Sequence, residues 1–188
     1  MSPITHLLAS WAVANSTPLA RHDRILVTLA GVIPDADGLG IVIDLLRRHA
    51  ADPAEYYQRF HHILFHNLFF GIGITIAAYF LAVKRRLTAG LVFLSFHLHL
   101  FCDIVGSRGG GDDFWGFPYF SPFSSYDVVW RGQWPLNGWQ NIAITAILMM
   151  SMFYWAWLRG YSPLEMLSEK ADTGFVSVLR KRFGSPHR

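Results

Sequence analysis

The chain of 188 residues is 52% hydrophobic with a mean hydropathy of +0.28, which excludes an ordinary water-soluble domain of that length and favours a membrane protein. Its formal charge is +3, and the basic residues stand at the ends of apolar stretches instead of among exposed aromatics, which excludes a nucleic-acid platform. The single cysteine, Cys102, excludes an intrachain disulfide and reads as a small apolar helix residue.

In chain order, Ile4 to Asn15 predicts a short apolar helix, with Ser2 as cap, Pro3 in the first turn and His6 near its beginning. Ala12-Val13-Ala14 mimics a signal-peptide cleavage site, but no basic segment precedes it and His6 interrupts the apolar stretch, so no cleavable signal peptide is expected. Asp23 is placed to cap a helix from Arg24 toward Ile33, which Pro34 stops or bends. The stretch from Arg24 to Leu46 therefore reads as a broken or partial span, with Asp35, Asp37, Gly38 and Gly40 as loop chemistry at its interruption.

Arg47 to Arg59 is a polar connector or interfacial helix. Ile63 to Val83, Leu87 to Val105 and Asn141 to Leu158 each approach the roughly 20 apolar residues that a bilayer core requires. The first two flank Lys84-Arg85-Arg86, a tight basic turn that leaves them antiparallel neighbours.

Polar side chains in such spans face a partner or a wet cavity, and counting from the turn shows where these converge. His66 lies 19 residues before Arg85, and His99 and Asp103 lie 14 and 18 after it. At about 1.5 Å per residue they reach similar depths. The same alternation brings His6, Asp35 and Asp37 to that end of the bundle. His99 and Asp103, four apart, share a helix face and can grip one ion. His97 is about 200° from His99 and cannot point inward with it, so it reads as lipid-facing, supporting or packing. Helical spacing pairs His62 with His66, whereas His61 can join His66 only from an entering loop.

Gly106 to Gly111 lacks the strand and lysine of a phosphate loop. Phe114 to Trp139 is dense in aromatics and reads as an interfacial belt, compatible with a lid or acyl-chain trough over the site. After the last span, Ser162-Pro163-Leu164-Glu165 has capping-box spacing and predicts an amphipathic tail helix ending in Arg180-Lys181-Arg182, suited to an anionic membrane surface. The expected organisation is all-α: a membrane-embedded domain of about five helices over 1–160 and a basic amphipathic tail over 161–188. Eleven basic residues lie at the end away from the histidines against five on their side, which predicts a site facing the non-cytoplasmic side.

The ordered set Thr5-His6, Pro34-Asp35-Ala36-Asp37, His61-His62-Ile63-Leu64-Phe65-His66-Asn67 and His99-Leu100-Phe101-Cys102-Asp103 resembles the bacterial membrane-bound metal-dependent hydrolases of the YdjM type (DUF457), which are themselves similar to zinc-dependent phospholipase C. In that family the third motif reads His-Arg-x-x-Thr-His-Ser, with its histidines five apart. That spacing corresponds to His61 and His66 here; His62, Phe65 and Asn67 depart from the pattern. The resemblance implies His6, His61, His66, His99 and Asp103 as metal ligands, with Asp35 and Asp37 divided between ligand and general base. It implies one to three divalent ions, zinc first, acting on an ester or phosphoester. The substrate expected from the site's place at the bilayer is lipid-like, and no nucleic-acid partner is expected. A haem electron carrier, a proton-coupled transporter and a metal-stabilised scaffold are the competing classes. Haem has no use for three aspartates, and no repeat symmetry marks a transporter.

Overall fold

A computed structural model of the chain describes residues 1–49, 55–56, 63–110 and 113–186. They are mainly helical, with one two-stranded hairpin. Helix α1 (Pro3–Ala14) starts as its sequence dictates: Ser2 Oγ accepts from Thr5 N at 3.2 Å and proline fills the first turn, where no N–H is needed. Helix α2 (Arg21–Ala30) is followed by a 3₁₀ segment (Ile33–Leu39) and α3 (Gly40–Arg47), bent by 53° from α2. Proline 34 supplies no N–H to continue α2, so the carboxylates of Asp35 and Asp37 are carried on a tight 3₁₀ turn inside the break.

Helix α4 (Leu68–Leu81) is shorter than the expected span from Ile63 to Val83. Asn67 is its cap, its Oδ1 accepting from Phe70 N at 2.9 Å, and residues 63–67 are not helical. Fourteen residues rise about 21 Å, short of a hydrocarbon core of roughly 30 Å. Helix α5 (Arg85–Gly106) is the central element and packs on α1, α2 and α4. Its buried face runs through Thr88, Val92, Ser95, Phe96, His99 and Asp103, steps of three and four that define one side of a helix. Close approach is enforced by two glycines: a Cβ at Gly31 would overlap Ser10, and one at Gly71 would overlap the Phe96 ring. Helix α6 (Trp139–Arg159) ends at Gly160 in the left-handed region, φ 87°. The last helix, α7 (Glu169–Phe183), packs back on α6, where Leu179 joins a cluster with Leu8, Trp11, Met152 and Ala156. Strands β1 (Gly116–Phe117) and β2 (Val128–Val129) pair antiparallel in the aromatic segment between α5 and α6.

Among the described residues, α5 and α6 are long and apolar enough to cross a membrane, and the bent α2–α3 pair makes a third if it is one span. The α6 surface is largely unburied within the protein, as expected of a helix that faces lipid.

Two polar residues at the basic end act differently from their sequence expectation. Asp23 lies within α2 and does not cap it; its carboxylate accepts from Val83 N (2.9 Å), Lys84 N (2.8 Å) and Thr88 Oγ1 (2.9 Å), holding the start of α5 against α2. Glu165 does not close a capping box. It forms a two-pronged pair with Arg24, Oε1 to Nε at 2.8 Å and Oε2 to Nη2 at 2.5 Å, while α7 is capped separately by Ser168. Because Asp23 is fully buried and serves three donors, Asp23→Ala strands them. The expected cost is about 2–4 kcal/mol at roughly 1–3 kcal/mol per buried group partly rescued by relaxation, read as a lowered melting temperature in detergent.

Candidate metal centre

Four elements deliver the site. Helix α5 contributes His99 and Asp103 from one face, 1% and 3% exposed. The non-helical residues before α4 deliver His66, fully buried, because Asn67 starts the helix only after it. The 3₁₀ turn brings Asp35 and Asp37, and α1 brings His6. The resulting separations are short. His99 Nε2 lies 3.2 Å from His66 Nε2, 3.0 Å from Asp103 Oδ2 and 3.6 Å from Asp35 Oδ1, and His66 Nε2 lies 3.8 Å from Asp103 Oδ2.

The outer contacts decide which nitrogens carry protons. His99 Nδ1 is 2.9 Å from the Gly31 carbonyl oxygen, which can only accept, so Nδ1 bears a proton and Nε2 turns inward. His66 Nδ1 faces Asp37 Oδ2 at 3.2 Å, and its Nε2 likewise points at the cluster. His6 donates from Nε2 to Asp103 Oδ1 at 3.0 Å, and its ring lies on that of His99 with centroids 3.9 Å apart. Ser107 Oγ donates to the same Asp103 oxygen at 3.2 Å, and the N-terminal ammonium meets it as well.

Two imidazole Nε2 atoms and two carboxylates thus face one another in a buried space. One ligand atom from each of Asp35, His66, His99 and Asp103 falls within 4.8 Å of all the others. Asp103 Oδ2 lies 3.0 Å from His99 Nε2, and the buried Asp35 Oδ2 has no hydrogen-bond partner. A cation among these carboxylate oxygens and ring nitrogens would offset their mutual repulsion. Nitrogen and oxygen donors, with partners behind the rings that fix their tautomers, fit a divalent ion of the zinc class. This group can therefore hold a metal ion.

The structure brings together six of the seven residues singled out in the sequence. Asp35, His66, His99 and Asp103 converge directly; His6 reaches the cluster through Asp103, and Asp37 through His66. His61, like its alternative His62, lies outside the described residues. Sequence reasoning missed the Gly31 carbonyl, for which a sequence carries no signal, and Ser107, which the four-residue step from Asp103 along α5 would have found.

The aromatic segment closes over the site. Trp115 meets His66 edge-on with centroids 6.0 Å apart, and Gln133 clasps the Trp115 backbone from both its amide and its carbonyl. Leu68 N donates to the Tyr119 carbonyl at 2.9 Å. His97, on the other side of α5, donates from Nδ1 to the Phe93 carbonyl at 2.8 Å and accepts from the Tyr119 hydroxyl at 2.9 Å. It ties the loop to the helix. Burial raises the Tyr119 phenol above its ordinary pKa, which keeps it a donor. A cavity of about 560 Å³ bordered by Asp35, Asp103, Ser107, Trp115, Ser2 and Leu136 opens beside the cluster.

A family model described as YdjM inner membrane protein matches residues 1–174. The chain belongs to the YdjM inner membrane protein family. No curated protein and no solved structure matches it. For this YdjM chain the match covers every element that supplies the cluster and extends into α7. The inner-membrane description of the family accords with the apolar, largely unburied surface of α6.

Proposed function

We propose that this YdjM protein is a membrane-bound metal-dependent hydrolase that cleaves an ester or phosphoester of a lipid-like substrate. The observation that carries the reading is the convergence of the His66 and His99 Nε2 atoms with Asp35 and Asp103 oxygens beside an open cavity. When bound, a divalent ion, with zinc the best fit to this donor set, would supply Lewis acidity and lower the pKa of a water.

The chain's own residues take separate parts. His66, His99, Asp103 and one oxygen of Asp35 hold the ion. Asp37 and the Gly31 carbonyl keep the two imidazoles in the tautomer that presents Nε2, and His6 and Ser107 fix the orientation of Asp103. Asp35 borders the cavity, and its Oδ2 has no hydrogen-bond partner, which suits it to take a proton from the attacking water as general base. Trp115 and Phe117 exclude bulk solvent around His66. The excess of lysine and arginine at the opposite end supports a site on the non-cytoplasmic side.

The reading is tested by assaying zinc-loaded, detergent-purified protein against p-nitrophenyl esters and phosphodiesters. Saturable hydrolysis that a chelator abolishes and zinc restores is expected; protein carrying a full equivalent of zinc that cleaves neither class contradicts it.

A further inference from the structure

A second cavity, about 440 Å³, runs between α1 and α6. Ser2 and Leu136 border both it and the cavity of the His/Asp cluster, so the two are adjacent, meeting at those residues. Its far wall is a stripe of α6 through Ile142, Ala146 and Met149. These steps of four and three lie on one helix face and give a trough about 10 Å long that follows the helix axis. The helix is one of those long enough to cross the membrane, and its surface is largely unburied. The trough therefore starts beside the site and follows the unburied side of α6.

The polar side chains along it are already engaged. Thr145 Oγ1 donates to the Asn141 carbonyl at 2.8 Å and shares a 2.7 Å hydrogen bond with Thr5 Oγ1, which in turn meets Ser2 Oγ at 2.8 Å. Asn141 donates to the Gly106 and Leu136 carbonyls, each at 2.8 Å, and accepts from Trp134 Nε1 at 2.7 Å. A sugar or peptide laid here would find few free partners for its polar groups and lose its hydration. A hydrocarbon chain loses nothing of that kind and gains burial.

We infer that the trough between α1 and α6 receives the hydrocarbon chain of a single lipid substrate whose ester or phosphoester head lies in the cavity of the cluster. This rests on the hydrolase reading, and it makes chain length a determinant of specificity, set by Ala146 and its neighbours.

The test compares ethyl and hexadecyl p-nitrophenyl phosphate on zinc-loaded wild type, Ala146→Phe and Ile142→Trp. The second variant is at a position 66% exposed and guards against a misfolded first. With metal content unchanged, KM for the hexadecyl substrate is expected to rise at least about tenfold, from the loss of a few buried methylenes, and that for the ethyl substrate to stay within about twofold. Equal changes for both chain lengths, or none for the hexadecyl substrate, overturn the inference. A readout independent of turnover separates it from the hydrolase reading: photolabelling with a diazirine-bearing hexadecylphosphonate. Labels on 142–149 that Ala146→Phe removes support the trough even if the protein turns over neither substrate, an outcome that sinks the hydrolase reading alone. Labels elsewhere, or attachment of residue 142 to a second copy of the chain, overturn the trough while leaving the metal site standing.

Discussion

The His99→Ala protein is expected to purify folded while losing metal affinity by more than about 100-fold, beyond the 10–100-fold typical of removing a group that merely orients a ligand. The reason is geometric. His99 Nε2 lies close to all three of the others, 3.0 Å from Asp103, 3.2 Å from His66 and 3.6 Å from Asp35. Alanine leaves His66 and the two carboxylates without the nitrogen that joins them. The fold should survive, because the ring's one bond outside the cluster is to the Gly31 carbonyl, and losing one such bond costs about 1 kcal/mol. Metal content after dialysis, measured by mass spectrometry, checks the result, with the melting temperature as the control for folding. Asp37→Asn should sit between the variant and wild type: an amide oxygen can still accept from His66 Nδ1, but without the charge that strengthens the ring as a donor to metal.

The Glu165→Ala protein should lose about 3–5 kcal/mol of stability, the range for breaking a buried pair from one side. The guanidinium of Arg24 and the carboxylate of Glu165 are 10% and 3% exposed. Without Glu165, Arg24 keeps the Leu19 carbonyl at 2.7 Å and the face of Tyr161 at 3.8 Å, neither of which neutralises its charge. Replacing both partners, Arg24→Met with Glu165→Met, is expected to recover most of the loss, since a buried pair and a well-packed apolar substitute are often close in free energy. Thermal melting of the four proteins in one detergent gives the double-mutant cycle, and a coupling near zero would show that the pair does not hold α2 to the segment before α7.

The site was more legible in the sequence than the helix ends were. His99 and Asp103 were readable because four residues on a long apolar helix admit one relative placement, and counting from Arg85 set the depth of His66 without knowledge of its backbone. The tautomers were not readable, since one is set by a backbone carbonyl 68 positions away from its ring. Helix α4 begins later than the apolar run from Ile63 predicts, because residues 63–67 are not helical and Asn67 ends that stretch as a cap. This also explains a departure from the family motif, for asparagine and serine are comparable helix caps. Phe65, at the threonine position of the motif, stacks on Phe70 with centroids 4.5 Å apart. Asp23 and Glu165 have strong local readings as caps, and distant partners outcompeted both. Buried carboxylates are claimed by whichever donors most need them, and sequence distance does not show that.

X-ray absorption at the metal edge of the purified protein tests the central claim most directly. A zinc-class ion surrounded only by nitrogen and oxygen scatterers, with an imidazole signature that falls in a His66→Ala, His99→Ala double variant, is the predicted result. Protein that binds no metal after loading, a sulfur scatterer pointing to Cys102, or an imidazole signal unchanged in the double variant would contradict it.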